Sequence, residues 1–457
     1  MKRNRRLFLA LGLVASVIAG VSGLSAAAQD LQVTHRSIES AVADGYASLD
    51  SLYRHLHAYP ELSFHEEKTS ALLAGRLSEI GYRVTTGVGG HGLVAILENG
   101  SGPTVMVRAD MDALPVLEET KLPYASKVVV TDAQGMDVPV MHACGHDIHM
   151  TSLIGTAVVL HSMRDKWSGT LELILQPAEE RGAGSKAMLE DGLYRRFSVP
   201  DYALALHVDG ALDTGTIGYC RGHSMANVDS VDIKVRGIGG HGAYPHLTKD
   251  PVVVAAQIIV SLQTIVSREI GPLDSAVVTV GSIHGGTKHN VIGKEVDLQL
   301  TVRSYSDETR GRLLVAIERV AVNTARAMGT PEEILPTVTV KDEYTPSLYN
   351  DPELVDRCVN AIGDIIGKEN MVESEPVMGG EDFARYGRQE NHVPIFMMKI
   401  GSIGKERMAE SQREGGTPLP SLHSGFYAPE REPTIKTGVK AMTAAVLELL
   451  GGRLSDE

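Results

Sequence analysis

The octet His142-Ala143-Cys144-Gly145-His146-Asp147-Ile148-His149 places three imidazoles, a thiol and a carboxylate in eight residues. A cysteine and a histidine separated by one glycine can be turned toward a single point, because glycine tolerates tight backbone conformations. Zinc and its neighbouring transition metals favour that mix of thiolate, imidazole and carboxylate. Taken alone, the octet also fits a polar loop around a buried thiol, or the thiolate–imidazole pair of a nucleophilic hydrolase.

The residues flanking the octet decide the fold class. The apolar run Thr104 to Arg108 predicts a strand and leads into Asp110-Met111-Asp112. Thr170 to Gln176 predicts another, stopped by Pro177 and followed at once by Glu179-Glu180. Asp201 to Leu206 predicts a third, ending in His207. Helical spacing marks 29–66 up to the break at Tyr59-Pro60, Glu67 to Ile80 with Gly81 as its cap, and Thr151 to Met163. Strands alternating with helices predict an α/β sheet covered on both faces. In such sheets sites form outside the carboxyl ends of the strands, where Asp110, Glu179, Glu180 and His207 are expected.

A different pattern begins near Arg221. Strands at Val231 to Arg236, Val277 to Gly281, Val296 to Val302 and Thr337 to Val340 are interleaved with helices at Pro251 to Val266 and Asp307 to Met328. That is a ferredoxin-like split βαβ order, expected as a small α+β domain inserted in the larger one. The domain reading is a signal peptide over 1–28, a first catalytic part over 29–220, the insert over 221–340 and a second catalytic part over 341–457.

Lys2, Arg3, Arg5 and Arg6 precede the apolar stretch Leu7 to Leu24 and the small residues Ala26-Ala27-Ala28, the layout of an export signal removed on maturation rather than a retained membrane anchor. Arg5-Arg6-Leu7-Phe8-Leu9 resembles a twin-arginine signal, and ordinary secretion fits as well. Either route predicts a periplasmic or secreted protein. The chain has 457 residues and a formal net charge of −14, which argues against a nucleic-acid partner. Its three cysteines cannot all pair within one chain, so at least one thiol is free or otherwise engaged.

Five motifs in order carry a family resemblance: Arg108-Ala109-Asp110-Met111-Asp112-Ala113-Leu114-Pro115, the octet, Gln176-Pro177-Ala178-Glu179-Glu180, Gly239-Gly240-His241-Gly242-Ala243-Tyr244-Pro245-His246, and Gly379-Gly380-Glu381-Asp382-Phe383. The chain resembles the aminoacylase and carboxypeptidase-type di-metal amidohydrolases of the zinc peptidase superfamily, within the branch of hippurate hydrolase and the indole-acetyl-amino-acid hydrolases. The resemblance implies a mixed-sheet, zinc-peptidase-like catalytic domain whose insert serves as lid and homodimerisation domain. It implies two divalent ions, zinc or manganese with cobalt or nickel as alternatives, held by Cys144, His146, Glu180, His207 and His423. By the same resemblance Glu179 is the general base and acid, Asp110 orients a ligand histidine, and His241 stabilises the oxyanion, often in the partner's active site. Asn290 and Arg303 fall where the family contacts the substrate carboxylate.

The chain departs from the family pattern at Ile148, at the segment Asp132 to Val138 and at Gly425. The first two are expected to narrow the pocket mouth, and the third to loosen the loop carrying His423. The implied reaction is hydrolysis of N-acyl amino acids. A dipeptidase or carboxypeptidase using the same site is the nearest alternative, and a non-catalytic exported binding protein a remoter one.

Overall fold

The computed structural model describes residues 33–131 and 135–451. The export signal expected over 1–28 lies outside the described residues.

Eight strands form one mixed sheet, in the order Arg83–Thr86, Leu93–Asn99, Gly169–Gln176, Thr104–Asp110, Tyr202–Asp213, Ile395–Ile403, Ile217–Tyr219 and Met371–Glu373. The four central strands, Gly169–Gln176 to Ile395–Ile403, are mutually parallel. Parallel strands need a crossover, and the helix His146–Ser162 provides it between Thr104–Asp110 and Gly169–Gln176. Leu93–Asn99 pairs antiparallel with Gly169–Gln176, which makes the sheet mixed.

Alternation along the strands separates two cores. Val105, Val107 and Ala109, with Leu171, Leu173 and Leu175, pack under the helices 33–58, His146–Ser162, Pro352–Ile366 and Arg431–Leu449. Met106, Ile174, Ala203, Ala205 and Met397 face the other way, toward Met188, Phe383 and Tyr386. On that second face Asp110 pairs with Gln176 in register and His207 with Lys399. Polar side chains therefore form a row level with the ends of Thr104–Asp110 and Gly169–Gln176.

Two expectations shift. The crossover helix begins at His146 and not at Thr151, because Gly145 takes a left-handed φ of 76° and turns the chain directly into its first turn. A Cβ at Gly145 would stand 2.7 Å from Val208 Cγ2, so that turn requires glycine. The third strand does not stop at His207 but runs on to Asp213, still paired with Ile395–Ile403.

A separate antiparallel sheet takes the order Ala276–Gly285, Glu295–Ser304, Asn227–Arg236 and Thr337–Thr345. Helices Pro251–Thr264 and Asp307–Ala327 bury Ile258, Leu262, Leu313 and Ile317 against Val231, Ile233, Leu298 and Leu300. Asn227–Arg236 alternates buried and half-buried along its whole length, the mark of a strand with one covered face. The Gly240–His241 and Val291–Ile292 segments form a small ribbon beside it.

Candidate metal centre

Cys144, His146 and His207 bring Sγ and two ring nitrogens within 4.8 Å of one another, and so do Cys144, Glu180 and His423 with their own donor atoms. Cys144 belongs to both sets. Its Sγ lies 3.5 Å from His207 Nε2 and 3.3 Å from His423 Nε2. His423 Nε2 is 3.6 Å from Glu180 Oε2, and Glu180 Oε1 is 3.7 Å from His146 Nε2. Donors around a tetrahedral zinc, with bonds of about 2.0–2.3 Å, fall at comparable separations.

Each imidazole is turned by its other nitrogen. A carbonyl oxygen can only accept, so His146 Nδ1 donates to the Asp112 carbonyl at 2.8 Å and His207 Nδ1 donates to the Val208 carbonyl at 2.7 Å. Both therefore present a bare Nε2 to the cluster. His146 Nε2 and Glu180 Oε1 are buried with no hydrogen-bond partner among the described residues. Unsatisfied buried acceptors are costly in a finished protein. Two overlapping sets of sulfur, nitrogen and oxygen donors with lone pairs left over fit two divalent cations.

The two glutamates sit just past a strained turn. Ala178 holds a φ of 50°, rare for a residue with a Cβ, and its N–H donates to Glu66 Oε1 at 2.8 Å. The N–H groups of Glu179 and Glu180 donate to the two carboxylate oxygens of Asp112 at 3.0 and 3.1 Å. Glu180 enters a set with Cys144, while Glu179, with Oε2 3.9 Å from His146 Nε2, groups with His146 and Glu180 and also with Glu381 and Asp382. Burial, then the neighbouring Glu381 and Glu180 charges, push the Glu179 carboxyl well above the usual range. Burial likewise pushes Glu180 up to about 7.

Asp110 borders the cluster, with Oδ2 3.7 Å from Nε2 of His146, and its hydrogen bond to an imidazole goes to a second histidine. Its Oδ1 lies 2.6 Å from Nδ1 of His149, whose Nε2 accepts the Val208 N–H at 2.9 Å. The residue orienting His146 is Asp112. Both His149 nitrogens are committed, and burial holds its pKa down at about 3.

Several site residues were not foreseen as such. Arg108, fully buried, donates to Asp110, Glu381, Asp382 and Gln176. Gln176 in turn donates to Asp382 at 2.7 Å. The signal was present in sequence: Arg108, Asp110 and Gln176 are polar positions at the ends of apolar strands, the first two spaced by the strand period of two.

The cluster opens on a cleft of about 1060 Å³ that reaches both sheets. Arg303 lines it, with Nη1 donating to the Met378 carbonyl at 2.6 Å. His241 and Asn290 do not line the cleft of their own chain. They stand together on the small ribbon, both exposed, where Gly242 N–H donates to the Asn290 carbonyl at 2.9 Å.

The departures resolve differently from expectation. Ile148 is fully buried in the main core and does not line the cleft. Residues 132–134 lie outside the described residues, and beyond them Asp137–Pro139 pairs with Val129–Thr131. Gly425 tightens its loop instead of loosening it. A Cβ there would stand 2.2 Å from the Leu117 carbonyl, and Glu119 N–H donates to the Gly425 carbonyl at 2.7 Å. His423 itself has a φ of 67° and donates its N–H to the Ala143 carbonyl at 2.9 Å, tying it to the octet.

An α/β sheet with thiolate, imidazole and carboxylate donors at its strand ends, and a spare carboxylate beside them, defines a metal-dependent hydrolase of amide bonds. The model of peptidase family M20/M25/M40 matches residues 106–426, and the chain belongs to that family. It is 38% identical to thermostable carboxypeptidase 1 of Saccharolobus solfataricus, over 75% of this chain and 84% of that protein. It is 37% identical to the hippurate hydrolase of Campylobacter jejuni, over 79% of this chain and 91% of that protein. The crystal structure of Bacillus subtilis YxeP, a dinuclear metal-binding peptidase of the M20 family, superposes with a TM-score of 0.72 at 30% identity, covering 90% of this chain and 99% of that one.

Proposed function

We propose that this chain is an exported amidohydrolase that cleaves N-acyl amino acids, hippurate-like or with acetyl and other aryl-acyl groups, using two divalent ions. Cys144, His146, Glu180, His207 and His423 would hold the ions, with Cys144 common to both. When bound, the ions, zinc or manganese with cobalt or nickel as alternatives, polarise the amide carbonyl and acidify water. Glu179 takes the proton of the attacking water and returns it to the leaving amine nitrogen. Arg303 meets the substrate carboxylate. His241 of the partner subunit, with Asn290 beside it, closes the site and meets the developing oxyanion.

The observation that carries this reading is the position of Glu179: a largely buried carboxylate beside the donor sets but left out of the two that share Cys144. Glu179→Ala should retain both metals while turnover falls by about 10²–10⁴. Near-normal hydrolysis by that variant would sink the assignment.

Dimerisation is supported by exposed Val252, Val253 and Val260 on helix Pro251–Thr264 and by the outer edge of the Ala276–Gly285 strand, unpaired among the described residues. A monomeric mass by sedimentation would refute it. Export rests on the basic and apolar N-terminal sequence, and N-terminal sequencing of the mature periplasmic protein tests it. The carboxypeptidase relative keeps free peptides in view as an alternative substrate. A panel of acylated amino acids against dipeptides separates the two.

A further inference from the structure

The polar row at the carboxyl end of the sheet ends in a residue that the hydrolysis outlined above does not use. Lys399 stands directly across from His207 on the adjacent parallel strand, and both line the cleft. Its neighbours Met398 and Ile400 are buried in the main core, which fixes its side chain on the opposite, cleft-facing side. Its partner on the other flank is Gly218, whose missing side chain leaves the stem room: a Cβ there would stand 3.3 Å from Lys399 Cβ.

The ammonium group is poorly paired for its surroundings. The Lys399 side chain is only 14% exposed, and among the described residues its one ion pair, to Asp209 Oδ2, spans 3.7 Å, too long for a hydrogen bond. Asp209 spends its other oxygen on the Ala211 N–H. An ammonium carries three donors. The ammonium faces the cleft, where its donors are available to a ligand. A bound anion would supply the acceptors.

We propose that Lys399 is a specificity-determining residue that selects substrates bearing a second carboxylate on the acyl half of the amide. This rests on the amidohydrolase reading above, in which Arg303 takes the amino-acid carboxylate. Arg303 belongs to the four-stranded sheet and Lys399 to the eight-stranded one, so each sheet brings a cation to the cleft, beside the exposed Arg181 of the turn that carries Glu179 and Glu180. A substrate whose amide lies at the donor set presents its amino-acid end to Arg303 and its acyl end to Lys399. A dicarboxylic acyl group such as succinyl meets both.

The test uses the full mature protein with its metal content measured. Initial rates are compared for N-succinylglycine, N-butanoylglycine and N-butanoylglutamate, which place the extra charge on the acyl side, nowhere, and on the amino-acid side. The kcat/KM ratio of N-succinylglycine to N-butanoylglycine should favour the former and fall about ten- to a hundredfold in Lys399→Met, chiefly through KM. Lys399→Arg should recover most of the ratio, which a merely structural role would not predict. An unchanged ratio in Lys399→Met, or a loss confined to N-butanoylglutamate, overturns the proposal while leaving the amidohydrolase reading intact. No turnover of any of the three by the metal-loaded wild type would overturn both.

Discussion

The carbonyl oxygen of Asp112 lies 2.8 Å from Nδ1 of His146, and its carboxylate accepts the N–H groups of Glu179 and Glu180. One residue thus aims a ligand imidazole and fixes the turn that carries both the base and a ligand carboxylate. Asp112→Ala keeps the carbonyl but frees the turn. Metal affinity should drop about 10- to 100-fold, the usual effect of losing a group that orients a ligand. Chelator competition measures it, and an unchanged affinity would show that the turn holds itself.

Glu172 is fully buried between Ile96 and Met106 on the neighbouring strands, with no partner for either carboxylate oxygen among the described residues. Burial pushes its carboxyl up to about 8. The folded protein therefore keeps this proton where the unfolded chain has lost it. The resulting stability is complete below about 4.5 and is lost as pH rises through about 8. Glu172→Met should raise Tm at pH 8.5 by a few degrees, about 1 °C for each kcal/mol gained, and narrow the gap between pH 5 and pH 8.5. An equal Tm shift at both pH values would mean that packing, not charge, sets the effect.

Strand-end chemistry was legible in sequence because it depends on local signals. Apolar runs end in Asp110 and in Pro177 ahead of Glu179, and the Cys144-Gly145-His146 turn needs only its glycine. Partnerships across the fold were not legible. That Asp110 serves His149 while Asp112 serves His146 depends on where the crossover helix starts, and an αL glycine moved that start by five residues. Arg108 meets Glu381 and Asp382 from far along the chain, so no spacing rule could pair them. His207 reads as a strand terminus because Val208-Asp209-Gly210 dilutes the apolar pattern, yet pairing with Ile395–Ile403 carries the strand onward.

His57 is buried between two carboxylates, with Nδ1 2.7 Å from Asp147 Oδ2 and Nε2 3.0 Å from Glu118 Oε1. Burial opposes a charge there, but the bonds to Asp147 and Glu118 outweigh it and raise the imidazole to about 9. The imidazolium thus ties the first helix to the residue after His146. Because the folded pKa is raised, this stabilisation is full below about 6.5 and is lost as pH rises through about 9. His57→Gln leaves two buried carboxylates facing a neutral amide and should cost about 3–5 kcal/mol at pH 6.5. Urea unfolding at pH 6.5 and at 9.5 should show that cost shrinking at the higher pH. A cost independent of pH would mean that His57 is neutral in the fold.

Cys144 sets how the centre responds to pH. Burial, with Glu180 and Glu179 adding and His146 opposing, holds its thiol well above the usual range. A thiolate ligand must give up that proton on loading, so metal uptake releases protons and weakens by about tenfold per pH unit for each one released. Enzyme stripped with a chelator should regain activity when zinc or manganese is added at pH 8, and need far more metal at pH 6. Cys144→Ser should flatten this dependence by one proton, counted by titration calorimetry in buffers of different ionisation enthalpy. Protons released from Glu180, itself raised to about 7, are common to both proteins and cancel in the difference. A slope identical in wild type and Cys144→Ser would place the lost proton elsewhere and remove the thiolate from the ligand set.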